Sequence, residues 1–433
     1  MSWEEIFRTR TVTPEEAVRS IQSGQRLFLT GNCSVPQKVL AALVNRAPEL
    51  RSVEIIQVLT IGGTDYVAPA MEGHLRVNTL FISENVRKAV NEGRVDFTPC
   101  FLSEIPLLFK NRHLPLDVAL VHVSLPDEHG FCSFGVEVGV TKTAAQAARI
   151  VIAEVNPNMP RTLGDSFIHV SKITHIVPVD YPLPETPMGD PSDLASRIAT
   201  HIASLVPDGA TLQMGIGGIP DAVLRQLTGH KHLGVHTEMF SDGIISLVES
   251  GVIDGEMKSL HQGKIIAGFM LGTKKLYDFV HDNPVFEMHP TEYVNDPFVI
   301  ASNDRMVSIN SAIEVDLTGQ VCADSIGTRF YSGVGGQVDF IYGASRSNGG
   351  VPVIALPATA SIKGELVSKI VSTLKVGAGV VTTRNHVRYV VTEYGVAELY
   401  ARNIRQRARA LINIAAPEFR EELEKKAYEL KYM

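Results

Sequence analysis

The chain contains the same strand–loop–helix pattern twice, and this repeat limits the folds it can adopt. Residues 31–40 read GNCSVPQKVL and residues 215–224 read GIGGIPDAVL, with Gly, Pro, Val and Leu at the same four offsets. Each loop follows a short apolar stretch and precedes residues with helical apolar spacing. A pattern that recurs in this way indicates a duplicated structural unit. We therefore predict two similarly folded halves.

Two further landmarks recur in the same order in both halves. Residues 93–97 read GRVDF and residues 336–340 read GQVDF, and each is interpreted as a turn. A polar loop and an apolar strand follow each turn, LDVALVHVSLP in the first half and GVPVIALPAT in the second. The order of the three landmarks predicts that these two strands are equivalent.

Short β-branched runs alternate with helical stretches along both halves, which is typical of α/β domains with mainly parallel sheets. Residues 177–192 are rich in Pro and Asp and are interpreted as a linker, and residues 193–206 are predicted to be a helix. Residues 395–430 are predicted to form a helical tail. We place an N-terminal α/β domain at residues 1–185 and a C-terminal α/β domain at residues 186–433.

The charge balance argues against a general nucleic-acid or anionic-membrane surface, because the chain of 433 residues carries a formal net charge of −7. The first residues lack the apolar core of a signal peptide, and no apolar run approaches the roughly 18 residues of a membrane span. The four cysteines are not spaced as a metal or redox motif. We expect a cytoplasmic protein with no metal, no nucleic-acid partner and no membrane contact.

The second copy of the repeated loop is richer in glycine, with Gly215, Gly217 and Gly218. A glycine loop between a strand and a helix points backbone N–H groups at an anion or a polarised oxygen. The second loop is therefore predicted to bind a ligand, and a tight structural turn is the alternative. The loop does not match the dinucleotide-binding fingerprint, because Pro220 occupies the sixth position and no acid follows at the ribose position. Nor does it match a P-loop.

An acidic residue follows the glycine loop at the end of a predicted strand. Residues 233–243 read LGVHTEMFSDG, and ligand sites in parallel sheets lie at the carboxyl ends of the strands. Glu238 is therefore expected beside the loop, with a solvated strand-end residue as the alternative. A second glycine cluster, which includes Gly335 and Gly336, would lie on its other side. A Glu with an ordinary pKa of about 4.3 is ionised at neutral pH and can attack an activated acyl group.

The four motifs GIGGIPDAV, HTEMFSDG, NSAIEVDLTGQV and SGVGGQVDFIYGAS together carry a resemblance to a known family. The chain resembles, from end to end, the acetyl-CoA hydrolase/transferase family of class I CoA-transferases. It is most similar to the branch with 4-hydroxybutyrate and butyryl-CoA:acetate CoA-transferases. The resemblance implies two similarly folded α/β domains of the NagB/RpiA-like CoA-transferase type, with the catalytic Glu and the coenzyme A loops in the C-terminal domain.

The resemblance also assigns roles to residues. It implies that Glu238 is the catalytic nucleophile and that Gly335 and Gly336 lie at the thioester end of the substrate, where they donate to the oxyanion. The residues that it implies for coenzyme A binding are Gln213, Met214, Gly215, Ile216, Gly217, Gly218, Ile313, Gly336 and Lys363.

The implied reaction moves coenzyme A between a short-chain acyl-CoA and a free carboxylate by a ping-pong route through a glutamyl-CoA thioester. Coenzyme A is then a substrate, and no cofactor is bound permanently. A homodimer is expected from the general frequency of C2 dimers. An acyl-CoA hydrolase with the same site is the nearest alternative. A nicotinamide oxidoreductase and a non-catalytic metabolite sensor are more distant alternatives.

Overall fold

The structure is a computed structural model that describes residues 1–215 and 217–433. The helices are α1 (Trp3–Arg10), α2 (Pro14–Val18), α3 (Gln37–Arg46), α4 (Glu84–Asn91), α5 (Ile105–Lys110), α6 (Thr141–Ala147), α7 (Asp193–Ala203), α8 (Gly218–Gln226), α9 (Ile245–Glu249), α10 (Lys274–Val280), α11 (Thr291–Val294), α12 (Pro297–Ala301), α13 (Gln337–Arg346), α14 (Ile404–Asn413) and α15 (Pro417–Glu429). Short 3₁₀ turns occupy Ala47–Glu49, Asp65–Val67, Pro69–Met71, Leu102–Glu104, Val170–Lys172, Leu227–Gly229 and Asp242–Ile244.

The strands of the first part of the chain are β1 (Arg26–Leu29), β2 (Val53–Gln57), β3 (Leu75–Thr79), β4 (Asp96–Phe97), β5 (Val118–Val123), β6 (Phe131–Ser133), β7 (Ile150–Val155), β8 (Leu163–Gly164), β9 (Phe167–His169) and β10 (His175–Pro178). The later strands are β11 (Thr211–Met214), β12 (Gly234–Phe240), β13 (Ile265–Met270), β14 (Phe286–Met288), β15 (Met306–Ser311), β16 (Glu314–Asp316), β17 (Val321–Cys322), β18 (Ser325–Ile326), β19 (Arg329–Phe330), β20 (Val351–Ala355), β21 (Thr359–Ile362), β22 (Glu365–Ser368), β23 (Ile370–Val371), β24 (Tyr389–Thr392) and β25 (Gly395–Glu398).

The chain forms two compact units. The first unit consists of Met1–Pro187 and Ile266–Val294, and the second consists of Met188–Ile265 and Asn295–Met433. The first unit thus takes in a segment of the chain well beyond residue 185. The single division into residues 1–185 and 186–433 stays a prediction.

The first unit is built on a parallel sheet with the strand order β10-β7-β5-β1-β2-β3-β4. Strand β1 is central, and its Leu27 lies opposite Ile55 on one side and Val118 on the other. All three side chains are fully buried. Central parallel strands are covered on both faces, and this explains why they consist of nearly continuous apolar residues.

The second unit contains the strand order β25-β24-β20-β15-β11-β12. These strands are parallel apart from the antiparallel pair β24 and β25. One apolar cluster packs residues of β20 and β24 against α14 and α15, including Ile354, Val390, Leu411 and Leu423. This packing holds the C-terminal helices on the sheet.

The two units repeat one topology. In each, the strand that leads into the repeated loop, β1 or β11, has the next strand of the chain on one side. On its other side the strands follow outward in chain order, β5-β7-β10 in the first unit and β15-β20-β24 in the second. The predicted α/β class with mainly parallel sheets and an internal duplication is confirmed.

The second and third sequence landmarks do not mark equivalent elements. Residues 93–97 lead into the short strand β4, whereas residues 336–340 begin the helix α13, so GxVDF is not a common turn. The topological counterpart of β5 is β15, which also borders the loop-bearing strand, and not β20 as predicted. A five-residue match was too short to fix equivalence, because its local structure depends on the packing around it.

Other local predictions have mixed outcomes. The helix predicted from residue 193 is α7, which begins at the Ser192 cap, whose side chain accepts from the Ala195 N–H at 3.1 Å. The predicted helical tail begins instead with β25, which pairs with β24, and only then continues as α14 and α15. In the described part of the chain, no helix combines the length and apolar character needed to cross a membrane.

Candidate active site

Glu238 lies within β12, at an irregularity in the pairing of that strand. Leu212 of β11 is opposite Val235, whereas Met214 is opposite Met239. Two steps along β11 therefore correspond to four along β12, so two extra residues bulge from β12 where Glu238 lies. A bulge changes the direction of side chains from the simple alternation of a strand. The sequence placed Glu238 at the end of the strand, and the structure places it inside the strand.

Asn295 contacts the Glu238 carboxylate directly. Its Nδ2 donates a hydrogen bond to Glu238 Oε2 at 3.0 Å, and its side chain is fully buried. The chain next to it is fixed by Asp296, whose side chain caps α12 by accepting from the Phe298 N–H at 2.8 Å. Asn295 was not predicted from the sequence, because an Asn before Asp-Pro is also what an ordinary helix start contains.

Gly336 approaches the same carboxylate through its backbone. A Cβ at this position would collide with Glu238 Oε2 and with Asn295 Nδ2. Its φ of −96° suits any residue, so the position requires glycine for space and not for conformation. The preceding Gly335 differs, because its φ of 60° lies in the left-handed region that favours glycine.

The helix α13 begins at the Glu238 carboxylate, because Gly336 is its N-cap residue. The N-terminus of a helix carries unpaired N–H groups and a partial positive charge, which favour a nearby anion. The structure thus brings together Glu238 and Gly336, as the sequence predicted, and adds Asn295. The catalytic roles of these residues stay predictions.

Burial raises the pKa of Glu238 above its ordinary value, and the hydrogen bond from Asn295 acts in the opposite direction. The residue as a whole is partly exposed, while protein atoms desolvate its carboxyl group. From the sequence, an ordinary pKa was expected for this group. The difference arises because the sequence does not show how closely protein atoms surround a side chain.

Gln213 and Met214 form the buried end of β11 before the glycine loop. Gln213 Oε1 accepts from the Ile309 N–H at 3.1 Å and from Asn310 Nδ2 at 3.0 Å. The Met214 N–H donates to Thr237 Oγ1 at 3.3 Å. These bonds tie the start of the loop to the neighbouring strands and so fix where the loop leaves the sheet.

The positions of this loop are occupied by glycine for different structural reasons. Gly217 has a φ of 121° and is the N-cap residue of α8. Gly218 has no such φ, and a Cβ there would meet no described atom within 4 Å. The described residues thus give no internal reason for glycine at 218, whereas the close approach of a ligand would. Gly215 lies between β11 and this turn, and Ile216 lies outside the described residues.

The two remaining predicted contacts lie on other elements of the second unit. Ile313 lies between β15 and β16, and its N–H donates to the Cys322 carbonyl at 2.8 Å. Lys363 lies at the exposed tip of the hairpin formed by β21 and β22, with a φ of 53°. Their contacts with coenzyme A stay predictions.

Comparison with known proteins identifies the family. The family model described as the acetyl-CoA hydrolase/transferase N-terminal domain matches residues 1–185, and the corresponding C-terminal domain matches residues 272–427. A 4-hydroxybutyrate coenzyme A transferase from Clostridium kluyveri is 53% identical, with 98% of each chain covered. A succinyl-CoA:acetate/propanoyl-CoA:succinate CoA transferase from Fasciola hepatica is 48% identical, covering 97% of this chain and 88% of the relative.

A solved structure gives the same result. The crystal structure of a 4-hydroxybutyrate CoA-transferase from Porphyromonas gingivalis is 43% identical, with a TM-score of 0.86, and covers 99% of this chain and 100% of that chain. This similarity extends over both copies of the repeated loop and over the Glu238 strand. The chain belongs to the acetyl-CoA hydrolase/transferase family.

Proposed function

We propose that this enzyme, a CoA-transferase, moves coenzyme A between a short-chain acyl-CoA and a free carboxylate, with Glu238 as the nucleophile. The observation that carries the proposal is the Glu238 carboxylate, which is held by Asn295 at 3.0 Å with only glycine backbone beside it at position 336. A carboxylate nucleophile needs orientation and nearby donors more than it needs a base. This arrangement supplies both.

In the first step, a Glu238 oxygen attacks the thioester carbonyl of the acyl-CoA. The carbon–sulfur bond breaks, coenzyme A leaves as a thiolate, and a mixed anhydride joins the acyl group to Glu238. In the second step, the thiolate attacks the glutamyl carbonyl, and the original acid leaves as a carboxylate. A glutamyl-CoA thioester remains. The acceptor acid reverses both steps and leaves as its CoA ester, so one thioester is consumed and one is formed.

Asn295 has a role in the second step that follows from its contact. If one Glu238 oxygen forms the new bond, Oε2 becomes the carbonyl oxygen of the anhydride. The Asn295 Nδ2 donor at 3.0 Å from Oε2 then faces the oxygen on which charge develops when the thiolate attacks. The N-terminus of α13 at Gly336 provides a second electropositive group for the same charge, and Gly335 shapes that turn.

Coenzyme A is proposed to bind along the glycine-rich loop after β11, from Gln213 to Gly218, with further contacts from Ile313 and Lys363. Gly218 supports this proposal, because no described neighbour explains the absence of a side chain there. Lys363 is an exposed cation at a hairpin tip and could meet an anionic part of the substrate. No permanently bound cofactor or metal is needed, because the exchange conserves the thioester.

The acid substrates to test first are 4-hydroxybutyrate, butyrate and acetate. The similarity to the Clostridium kluyveri relative favours 4-hydroxybutyrate. The Fasciola hepatica relative, whose name includes succinyl-CoA and propanoyl-CoA, shows that members of this family differ in the acids that they use. We further propose a cytoplasmic homodimer, for which the general frequency of C2 dimers is the support.

The decisive experiment traps the covalent intermediate. The protein is incubated with butyryl-CoA or acetyl-CoA without an acceptor acid, reduced with borohydride and digested with trypsin. The peptide 232–258, which carries Glu238, is then examined by mass spectrometry. Reduction of Glu238 to the alcohol is the expected result. The Glu238→Gln variant should show no reduction, and Glu249→Gln, at an exposed Glu near the end of the same peptide, should behave like the wild type.

An unmodified peptide from a preparation that still consumes acyl-CoA would contradict the proposed nucleophile. Rapid loss of acyl-CoA without any acceptor acid would instead identify a hydrolase with the same site. A transferase should require the acceptor acid for turnover and should show ping-pong kinetics.

A further inference from the structure

We propose that the first unit contains a second ligand site, for a nucleoside phosphate, in a cavity of about 770 Å³. The cavity lies between α6, the paired strands β6 and β9, and the 3₁₀ turn Val170–Lys172. We call it the basic cavity and define it by its four cationic residues, Arg10, Lys142, Arg149 and Lys172. The transfer reaction does not explain these residues.

The basic cavity carries more positive than negative charge. Among its described lining residues, none is Asp or Glu. Lys142 pairs with Asp165, and Arg149 pairs with Asp117 at 2.6 Å. Two of the four cations are thus balanced by carboxylates, and two are not.

The two cations without a carboxylate are Arg10 and Lys172. Arg10 Nη1 donates to the backbone carbonyls of Ser171 and Ile173, which are uncharged acceptors, so these bonds leave its charge uncompensated. Lys172 is exposed, and its ammonium has no partner among the described residues. A local excess of two positive charges in a chain with a net charge of −7 indicates attraction of an anion to this place.

Aromatic rings lie on the surface of the same cavity. Phe131 is 41% exposed, and its ring meets the His169 ring edge-on with the centroids 4.9 Å apart. Phe167 is partly exposed, and its ring lies beneath the Arg161 guanidinium at 4.8 Å. An exposed Phe ring beside an imidazole offers a stacking surface for a planar ring.

The combination of features selects the class of ligand. A simple anion would use the cations but would leave the exposed Phe131 ring without a partner. A cavity of about 770 Å³ is within the usual range for ligands of nucleotide size. A nucleoside phosphate provides the phosphate for Arg10 and Lys172, the two cations without a carboxylate, and the base for Phe131. Such a group occurs both in free nucleotides and at the nucleotide end of coenzyme A, and the experiment has to separate these sources.

The test is calorimetric titration of ADP into the full chain, with and without saturating coenzyme A. We expect ADP to bind in both conditions, because a site for free nucleotides stays available when coenzyme A fills the reaction site. The variant Lys172→Glu should weaken ADP binding by about tenfold or more, since it replaces a cation that has no carboxylate partner with an anion. Phe131→Ala should also weaken binding. Inorganic phosphate should bind more weakly than ADP.

The matched control is Arg19→Glu, which reverses the charge of an exposed arginine in the same unit and should leave ADP binding unchanged. All variants should keep wild-type CoA transfer in the absence of ADP, which shows that they are folded. Two results would each overturn the proposal: no ADP binding at millimolar concentration, or equal ADP binding by the wild type and all variants. Complete displacement of ADP by coenzyme A, with ADP binding still weakened by Lys172→Glu, would identify coenzyme A as the source of the nucleotide group in this cavity. If inorganic phosphate bound as tightly as ADP, the proposed contact between the base and Phe131 would be wrong.

Discussion

The side-chain amide of Asn295 donates to Oε2 of Glu238 at 3.0 Å, and this contact links the carboxylate of the proposed nucleophile to a buried residue. The hydrogen bond fixes which oxygen is held and leaves the other oxygen for attack. It also lowers the pKa of a carboxyl group whose burial raises it. Orientation and ionisation of the proposed nucleophile thus depend on one amide.

Replacing this amide should slow the reaction more than it weakens substrate binding. Asn295→Ala is expected to lower kcat by about 10²- to 10³-fold, the usual effect of losing one donor to a developing oxyanion. KM for acyl-CoA should change much less, because the contact is to the nucleophile. Steady-state kinetics measure both. Asn413→Ala, at an exposed position of α14, is the control, and an equal loss in both variants would contradict the assigned role.

The pH dependence of kcat/KM should report the ionisation of Glu238. Burial raises its pKa, so the ionised form that the proposed mechanism needs is lost as the pH falls through a value above the ordinary pKa of about 4.3. The rate should therefore decrease on the acid side. Because the Asn295 hydrogen bond lowers this pKa, Asn295→Ala should move the acid limb to higher pH. If the acid limb of kcat/KM in that variant stayed at the same pH or moved to lower pH, a group other than Glu238 would control the pH dependence.

Gly336→Ala should damage the site without unfolding the chain. The added Cβ would collide with Glu238 Oε2 and with Asn295 Nδ2, so the carboxylate has to move. Displacement of a reacting group by about 1 Å can cost about 10²-fold in rate. The comparison is Gly229→Ala, where a Cβ meets no described atom within 4 Å. Similar kcat values for the two variants would show that the space at 336 is not needed.

Gly218→Ala should separate ligand binding from folding. A Cβ at 218 would meet no described atom within 4 Å, so the thermal midpoint should stay near that of the wild type. If coenzyme A lies against this loop, its affinity should fall by about tenfold, which corresponds to about 1.4 kcal/mol. Calorimetric titration of coenzyme A tests this. Unchanged affinity would place the ligand elsewhere.

Glu137, a buried residue of the first unit, should make stability depend on pH. Burial raises its pKa from 4.5 to about 7, against hydrogen bonds from Asn32 and from the Val140 N–H. The folded state holds this proton more tightly than the unfolded chain does. Its contribution to stability is therefore complete below about pH 4.5 and is lost as the pH rises to about 7.

The variant Glu137→Gln should remove this dependence. Relative to the wild type, its free energy of unfolding should rise by about 2 to 3 kcal/mol between pH 5 and pH 8, because burial raises the pKa of Glu137 from 4.5 to about 7. Denaturant titrations at several pH values measure the difference. Glu15→Gln, at an exposed position in the same unit, should show no such trend. If the free energies of unfolding of the wild type and Glu137→Gln changed in parallel with pH, the raised pKa of Glu137 would be disproved.

The sequence predicted the features that depend on local pattern. The fold class, the repeated loop and the family are confirmed, because a strand, a glycine loop and a helix leave a readable order of apolar and small residues. Glu238 and Gly336 were predicted as neighbours, and the structure places them in contact distance of one another.

The features that the sequence did not predict depend on tertiary packing. Asn295 is 57 residues from Glu238 along the chain, and its sequence surroundings suit a helix start. Residues 337–346 form a helix where a turn was predicted, because apolar residues such as Phe340 and Ile341 are buried against the sheet. The raised pKa of Glu238 also comes from its surroundings and not from its neighbours in the chain.

The bulge in β12 has a consequence for how this enzyme can vary. Four backbone steps from Val235 to Met239 correspond to two on the neighbouring strand, so the number of residues there sets the direction of Glu238. Deleting or inserting one residue in this stretch would turn the carboxylate away even if every side chain were kept. When segments are exchanged between related enzymes, the number of residues in this strand therefore has to be kept together with the proposed nucleophile.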